Sequence, residues 1–493
     1  MNLANQAHQS FVESQTRRHF LKSCPTGMGA MWLGTLAAEA GGSESTPIAD
    51  DEIRLRSPQV PAAIAKAKRV IYLHMAGAPS QLELFDYKPV LQEFDGKDCP
   101  AEFLQGKRSG YGRRGAKLLG SQYSFAQHGD SGAWVSDRLP RFSEVVDSVS
   151  FIHSMQTDQM THAPAQLRLH TGNADLGFPS IGAWMTYGLG TENQNLPGYV
   201  VLVSGGKVPS AGKSVWSNGF LPADYQGIQC RIKADPVLFL SDPEGTARPL
   251  RSEMIDTISQ INRQTYEQIG DPATVARIGQ FEMAFRMQMA ATEATDLSQE
   301  TAEVQQLYGA DPGKKSFANN CLLARRLVER GVRYVQLFDG GWDSHGADPS
   351  EAINVGFKNM CNEMDRPIAA LLKDLKRSGL LDETLVVWGG EFGRSPLRDP
   401  RGNTELGLMG RHHQADAFTV WMAGGGVKGG VRHGATDELG FSVTEDPTPV
   451  RDLHATMLRL LGLDQDPLGF PFEGGTHRLT GEKTANVIEP LLA

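Results

Sequence analysis

Residues 366–394 read RPIAALLKDLKRSGLLDETLVVWGGEFGR. The first part has a helical apolar pattern. The LVVWGG that follows is a short continuous apolar run closed by glycines, the mark of a buried strand feeding a functional loop. A helix leading into a fully apolar strand is the repeating unit of a parallel α/β sheet. The same pairing stands at 319–341, where NNCLLARRLVERG precedes VRYVQLFDGG. Similar apolar runs recur in KRVIYLHMAGAPSQLELFDYKP (68–89), SVSFIHSM (148–155), GYVVLVS (198–204) and FTVWMAGGG (418–426). The expected class is therefore α/β with a mostly parallel central sheet. In such sheets ligands bind beyond the carboxyl ends of the strands, so the residues just after each run are the ones to inspect.

After VRYVQLF comes Asp339-Gly-Gly-Trp-Asp343-Ser-His345-Gly. Carboxylate oxygen and imidazole nitrogen on one glycine-flexible loop suit zinc, manganese or iron. Asp343 and His345 are two apart and can face one ion. The plainer alternative is a turn in which Asp343 accepts backbone N–H bonds. After LVVWGG comes Glu391-Phe-Gly-Arg394-Ser, a carboxylate at a strand end. Glu391 reads as a further ligand or as an acid at a helix N-terminus paired with Arg394. Arg394 could instead hold an anionic substrate oxygen. GRHHQADAFTVWM adds adjacent His412 and His413 before another strand, of which one would bind a given ion. Glycine-rich MAGGGVKGGVRHGATDELGF lacks phosphate-loop spacing and reads as tight turns beside a hairpin. PVRDLHATMLRLLGLD reads as a C-terminal helix closed by Gly462, with His454 a satisfied helix histidine.

The chain has 493 residues, 40% hydrophobic and 21% charged, which is ordinary globular composition. A net charge of -9 excludes a basic surplus for neutralising nucleic-acid phosphates. The five cysteines, Cys24, Cys99, Cys230, Cys321 and Cys361, form no C-x-x-C pair. Near the start, TRRHFLKSCPTGMGAMWLGTLAAEA carries Arg17-Arg18, then Phe-Leu-Lys, a short apolar Gly/Ala-rich run and Ala38-Glu39-Ala40. This is a twin-arginine export pattern over residues 1–40, and the alternative is a basic amphipathic helix. Export would engage the twin-arginine translocase and deliver the protein to the periplasm or the exterior. Residues 41–66 read as a polar linker, followed by the main domain, 67–490. A helical insertion is expected at about 242–320, where Ile278, Phe281, Phe285 and Met289 follow helical spacing. No further segment has the apolar length of a permanent membrane span.

MTHAPAQLRLHTG, residues 160–172, has the outline of the sulfatase segment C-x-P-x-R followed by an apolar run and T-G. DETLVVWGGEFGR is similar to the sulfatase segment D-N-T-L-V-I-F-T-S-D-H-G-E, with Glu391 on the metal-binding aspartate and Phe392 on its histidine. Together with GAPSQLELFDYKP, PSIGAW, GWDSHG, GGEFGRSP, GRHH and MAGGGVKGG, these segments identify the chain as a member of the family called domain of unknown function 1501. That family is sulfatase-related and lies in the alkaline phosphatase superfamily. The resemblance implies an alkaline-phosphatase-like α/β/α sandwich, but it supplies no substrate.

The departures from the pattern matter. His162 stands at the nucleophile position and Gln166 at the arginine, so formylglycine chemistry is not expected. No strand-one aspartate follows Leu73, and Asp86 is the nearest acid of suitable type. His413 keeps the family histidine of G-R-D-H, while His412 replaces its acid.

Two functions follow as expectations. The first is a hydrolase of phosphate, sulfate or related esters, acting on a small-molecule or glycan substrate. It would use a divalent metal ion (Zn, Mn, Fe or Ca) held by Asp343, His345, Glu391 and His413, with His412 and Asp86 as further candidates. Metal-activated water would remove the need for a side-chain nucleophile. His162 would then be a ligand or a general acid, facing the same strand-end cleft. Thr161 is an alternative direct nucleophile and Ser80 a weaker one. The second function is an exported binding protein for sulfated or phosphorylated glycans that has lost turnover.

Overall fold

The computed structural model describes residues 65–104, 116–231 and 290–493, together with 253–254, 257–262 and 264. The export pattern, nearly all of the linker and the amphipathic stretch up to Met289 lie outside the described residues. Between 290 and 320 the described chain is helical or loop, with a helix at Ala302–Tyr308 and no strand.

The main-sheet strands are β1 (Arg69–Ala76), β2 (Val149–Gln156), β3 (Tyr199–Ser204), β4 (Ile228–Gln229), β5 (Tyr334–Gly340) and β6 (Thr384–Gly389). A two-stranded ribbon, β7 (Gly393–Arg398) and β8 (Arg411–Gln414), follows. The main sheet then takes β9 (Phe418–Ala423), β10 (Arg432–His433) and β11 (Thr448–Pro449). Among the described residues the sheet has nine strands, ordered β10-β2-β9-β6-β1-β5-β3-β4, with β11 also beside β2. Every pairing is parallel except those of β9, which runs antiparallel to β2 and β6. The long apolar runs read from the sequence are the six principal strands. The glycine-rich segment after β9 contributes more than turns, because Arg432 and His433 pair with β2.

Side chains alternate across a strand, so a strand apolar at every position must be covered on both faces. Ile71, Leu73 and Met75 of β1 enter one core. That core is covered by α4 (Phe317–Glu329) and α5 (Lys358–Arg377), through residues such as Leu323, Leu327, Ile368, Leu371 and Leu375. Val70 and Tyr72 enter the opposite core. There α2 (His162–Thr171), α3 (Ile181–Leu189) and α6 (Val450–Leu460) supply Leu169, Trp184 and Met457. A short α1 (Gln81–Leu84) follows the first strand. Each buried large apolar side chain contributes about 1.5–3 kcal/mol. The result is an α/β/α sandwich with a mostly parallel sheet. Adjacent β5 and β1 end in register at Gly340 and Ala76, β6 ends at Gly389 opposite His74, and their following loops share one edge.

No helix among the described residues is long and apolar enough to cross a membrane. The four described cysteines, Cys99, Cys230, Cys321 and Cys361, are buried free thiols. His454 on α6 gives its Nε2 to the Leu169 carbonyl at 2.7 Å, while its buried Nδ1 has no hydrogen-bond partner among the described residues, so this helix histidine is only half satisfied.

Candidate metal centre

Four side chains from three places in the chain meet at this edge. His162 opens α2, Asp343 and His345 lie on the loop after β5, and His413 lies in β8. One donor atom from each lies within 4.8 Å of all the others. Asp343 Oδ1 is the hub, 2.8 Å from His345 Nε2, 3.3 Å from His162 Nε2 and 3.4 Å from His413 Nε2. His345 Nε2 and His413 Nε2 are 3.0 Å apart.

The opposite ring nitrogens are all occupied. His162 Nδ1 is 2.7 Å from Glu391 Oε1, His345 Nδ1 is 2.8 Å from Asp399 Oδ2, and His413 Nδ1 is 2.8 Å from the Met160 carbonyl. These three acceptors favour a ring proton on Nδ1, so each ring, once neutral, turns its Nε2 lone pair inward; His345 Nδ1 also lies 2.5 Å from the Arg401 guanidinium. This is how metal-binding histidines are held. Donors about 2.0–2.1 Å from a tetrahedral ion lie about 3.3 Å apart, close to the spacings seen here. The set therefore fits a divalent metal. Asp343 is 31% exposed and His345 5%, so the cluster is walled on one side and open on the other.

Local backbone makes the convergence feasible. Gly77, immediately after β1, has φ +112°, and a Cβ there would lie 2.5 Å from the Asp343 nitrogen. At Gly410 a Cβ would meet the His345 carbonyl carbon at 1.9 Å. Both glycines permit close backbone approach to the Asp-x-His loop. Phe392 packs against the rings of His162 and His413, with centroids 5.0 and 4.4 Å away. The residue at the sulfatase histidine position is thus an apolar support.

Charges follow from this geometry. Burial alone would raise the Asp343 carboxyl, but bonds to His162, His345 and His413 and the Arg394 charge hold it far below the usual range. Burial also opposes a charged His162, yet Asp343 and Glu391 outweigh it and push the imidazole up to about 9. His413 is lowered to about 4, by burial and by the Arg394 and His162 charges, despite Asp343.

Several expected residues take different places. Glu391 reaches the site but stands behind His162. Its fully buried carboxylate accepts from the Gly77 nitrogen at 3.1 Å and from Gln166 Nε2 at 3.0 Å, and lies 3.3 Å from His74 Nε2. Burial would raise its pKa, but His162 and His74 hold it well below the usual value. Gln166, at the sulfatase arginine position, is thus part of the Glu391 support. Arg394 is fully buried. It bonds Asp343 Oδ1 at 2.5 Å, the Ala78 and Arg411 carbonyls at 2.9 and 3.2 Å, and the Gly77 carbonyl, so it braces Asp343 from behind. His412 turns from the cluster to Asp399 Oδ2, 3.2 Å away. Asp86 is not brought to the cluster, because it accepts from Thr436 Oγ1 at 2.6 Å and pairs with Lys88 at 3.0 Å. Asp339 accepts from Ser204 and Trp342 at the end of β5. Thr161 is the exposed residue preceding α2, with no side-chain cap bond. Ser80 is buried and bonded to Glu83.

Sequence reading missed Asp399, which fixes His345, and His74, which faces Glu391. The Asp-Pro after the β7 run was a signal for the first, since it marks a turn at a strand end. His74 lies inside an apolar strand and gives no such signal.

An α/β/α sandwich with a three-histidine, one-aspartate cluster at its strand ends defines the class of the protein. Residues 67–492 match the family described as protein of unknown function DUF1501, and the chain belongs to it. No curated protein matches in sequence. Among solved structures the chain is similar to a phosphonate monoester hydrolase from Silicibacter pomeroyi, at 11% identity and a TM-score of 0.36, covering 87% of this chain and 76% of that one. It is similar to a sulfatase from Pseudoalteromonas sp. at 11% identity and a TM-score of 0.34, covering 80% and 68%. It is also similar to alkaline phosphatase from the Antarctic bacterium TAB5 at 11% identity and a TM-score of 0.29, covering 75% and 94%.

Proposed function

We propose that the protein is an exported, metal-dependent hydrolase of phosphate, sulfate or related esters that works without formylglycine. One observation carries the metal reading. His345 Nε2 and His413 Nε2 lie 3.0 Å apart while the other nitrogen of each ring already faces an acceptor. Two imidazole nitrogens at that separation share either a proton or a metal ion, and the Asp343 carboxylate and His162 nitrogen beside them complete a set of metal-ligand type. Three imidazoles and one carboxylate suit zinc, iron or manganese better than calcium, which prefers oxygen donors. A divalent ion held there would polarise an ester oxygen and activate water.

The chain's own residues have separable tasks. His162, Asp343, His345 and His413 bind the ion. Glu391, Asp399 and the Met160 carbonyl orient the rings, and Arg394 braces Asp343. The uncapped start of α2 favours a negative charge beside His162. Thr161 and Ser80 are not needed as nucleophiles, and Ser80 is bonded to Glu83. Arg17 and Arg18 support export by the twin-arginine route.

The test is elemental analysis of untagged protein purified without chelator. A turnover screen with added zinc, manganese or iron follows, against aryl phosphates, phosphodiesters, phosphonates and sulfates. About one equivalent of metal is expected, with turnover lost in His345→Ala. Metal-free wild type that takes up no ion defeats the reading. Full metal loading with no turnover favours the glycan-binding alternative.

A further inference from the structure

The geometry points to Arg401 as the residue that grips the anionic group of the substrate at this centre, an inference that rests on the metal-dependent reading. Three arginines lie near the cluster. Arg394 and Arg411 are fully buried, the first on backbone carbonyls and Asp343, the second on Glu83 at 2.6 Å. Neither presents a donor to a ligand entering from solvent. The side chain of Arg401 is 53% exposed, and its Nη2 lies against the His345 ring, 2.5 Å from Nδ1 and 3.1 Å from Nε2, the ring atom that faces the cluster.

Asp399 holds this guanidinium in place. Nη2 is 3.0 Å from Asp399 Oδ2, and Nε is 3.2 and 3.3 Å from Oδ1 and Oδ2. Asp399 Oδ2 also accepts from His345 Nδ1 at 2.8 Å, so one buried carboxylate positions both a cluster histidine and the arginine. Arg401 Nη1 is left with no partner among the described residues. A guanidinium fixed by its Nε edge with Nη1 free is preorganised for an oxyanion.

The surrounding charges favour the same ligand. An ion in the cluster and the Arg401 cation would stand side by side, and their repulsion is relieved by an anion that meets both. A tetrahedral oxyanion has several oxygens and can do so, whereas a neutral ester cannot neutralise either. Arg401 thus selects substrates that carry a negative charge on the group being cleaved.

The probe is inorganic phosphate, titrated calorimetrically into zinc-loaded wild type, Arg401→Lys and Arg401→Ala, with zinc content and zinc affinity measured separately on each. Expected are unchanged zinc binding and phosphate affinity about 10- to 100-fold weaker in Arg401→Ala, with Arg401→Lys between. Equal phosphate affinity in fully loaded wild type and Arg401→Ala overturns the inference. So does a loss that merely follows lost zinc, because Arg401 would then only support Asp399 and His345. Zinc-loaded wild type that ignores phosphate also overturns it while leaving the metal reading intact. Failure of wild type to load zinc is seen before phosphate is added and overturns the metal reading itself.

Discussion

His162 Nδ1 and Glu391 Oε1 are 2.7 Å apart, although 229 positions separate them in the chain. The first residue of α2 is thereby locked to the end of β6, and Nε2 is aimed at Asp343. Replacing Glu391 by Gln removes the acceptor's charge while preserving its shape. Zinc affinity should fall roughly 10- to 100-fold, the usual cost of losing an orienting partner, with the fold retained. Chelator competition measures this, and Asp86→Asn is the control. Asp86 bonds Thr436 and Lys88, so its variant should keep wild-type zinc affinity. Undiminished affinity in Glu391→Gln would show that His162 needs no such support.

Metal uptake should release a proton. Without metal, His162 stays protonated up to a pKa of about 9. Ligation through Nε2 requires that proton to leave. His413, lowered to about 4, is already neutral at pH 7, and Asp343 is ionised. About one proton per ion should therefore be released between pH 7 and 8 on account of His162. Apparent affinity should rise with pH and level off for this group above about 9. Calorimetry in buffers of different ionisation enthalpy reads the count, and zero release at pH 7 would contradict the assignment.

Gly77→Ala should damage fold and site together. The residue sits at φ +112°, and an added Cβ would stand 2.5 Å from the Asp343 nitrogen. Strain of about 1–3 kcal/mol is expected, and Asp343 must shift to accommodate the methyl group. Denaturant unfolding should show the lost stability and chelator competition the weakened metal site. Wild-type values in both would mean the loop after β5 has slack that its packing does not suggest.

Replacing Arg17 and Arg18 together by Lys should leave the protein in the cytoplasm. Cell fractionation of the native host measures this. Normal periplasmic recovery of the double variant would count decisively against twin-arginine export.

The sequence alone determined the sheet and named most of the residues that meet at its edge. Runs such as LVVWGG, and YVQLF with its single polar residue Gln336, are apolar on both faces for strand length between turn signals, which points to central strands with helices on both sides, and the described structure has them so. Asp343, His345 and His413 were legible because each lies just beyond or before such a run, and His162 through its register in the THAPAQ segment. Tertiary structure alone decided the order of the layers around them. Glu391 and Arg394 carry the right chemistry at the right strand end, yet desolvation puts them behind the cluster, where buried charge is tolerated only when fully bonded. Asp399 and Arg401 sit in a turn with no periodic signal, and only the pairing of β7 with β8 carries that turn to His345. Local pattern fixes which face a residue takes; which loop ends meet is set by strand order, and strand order follows from how the two cores are covered.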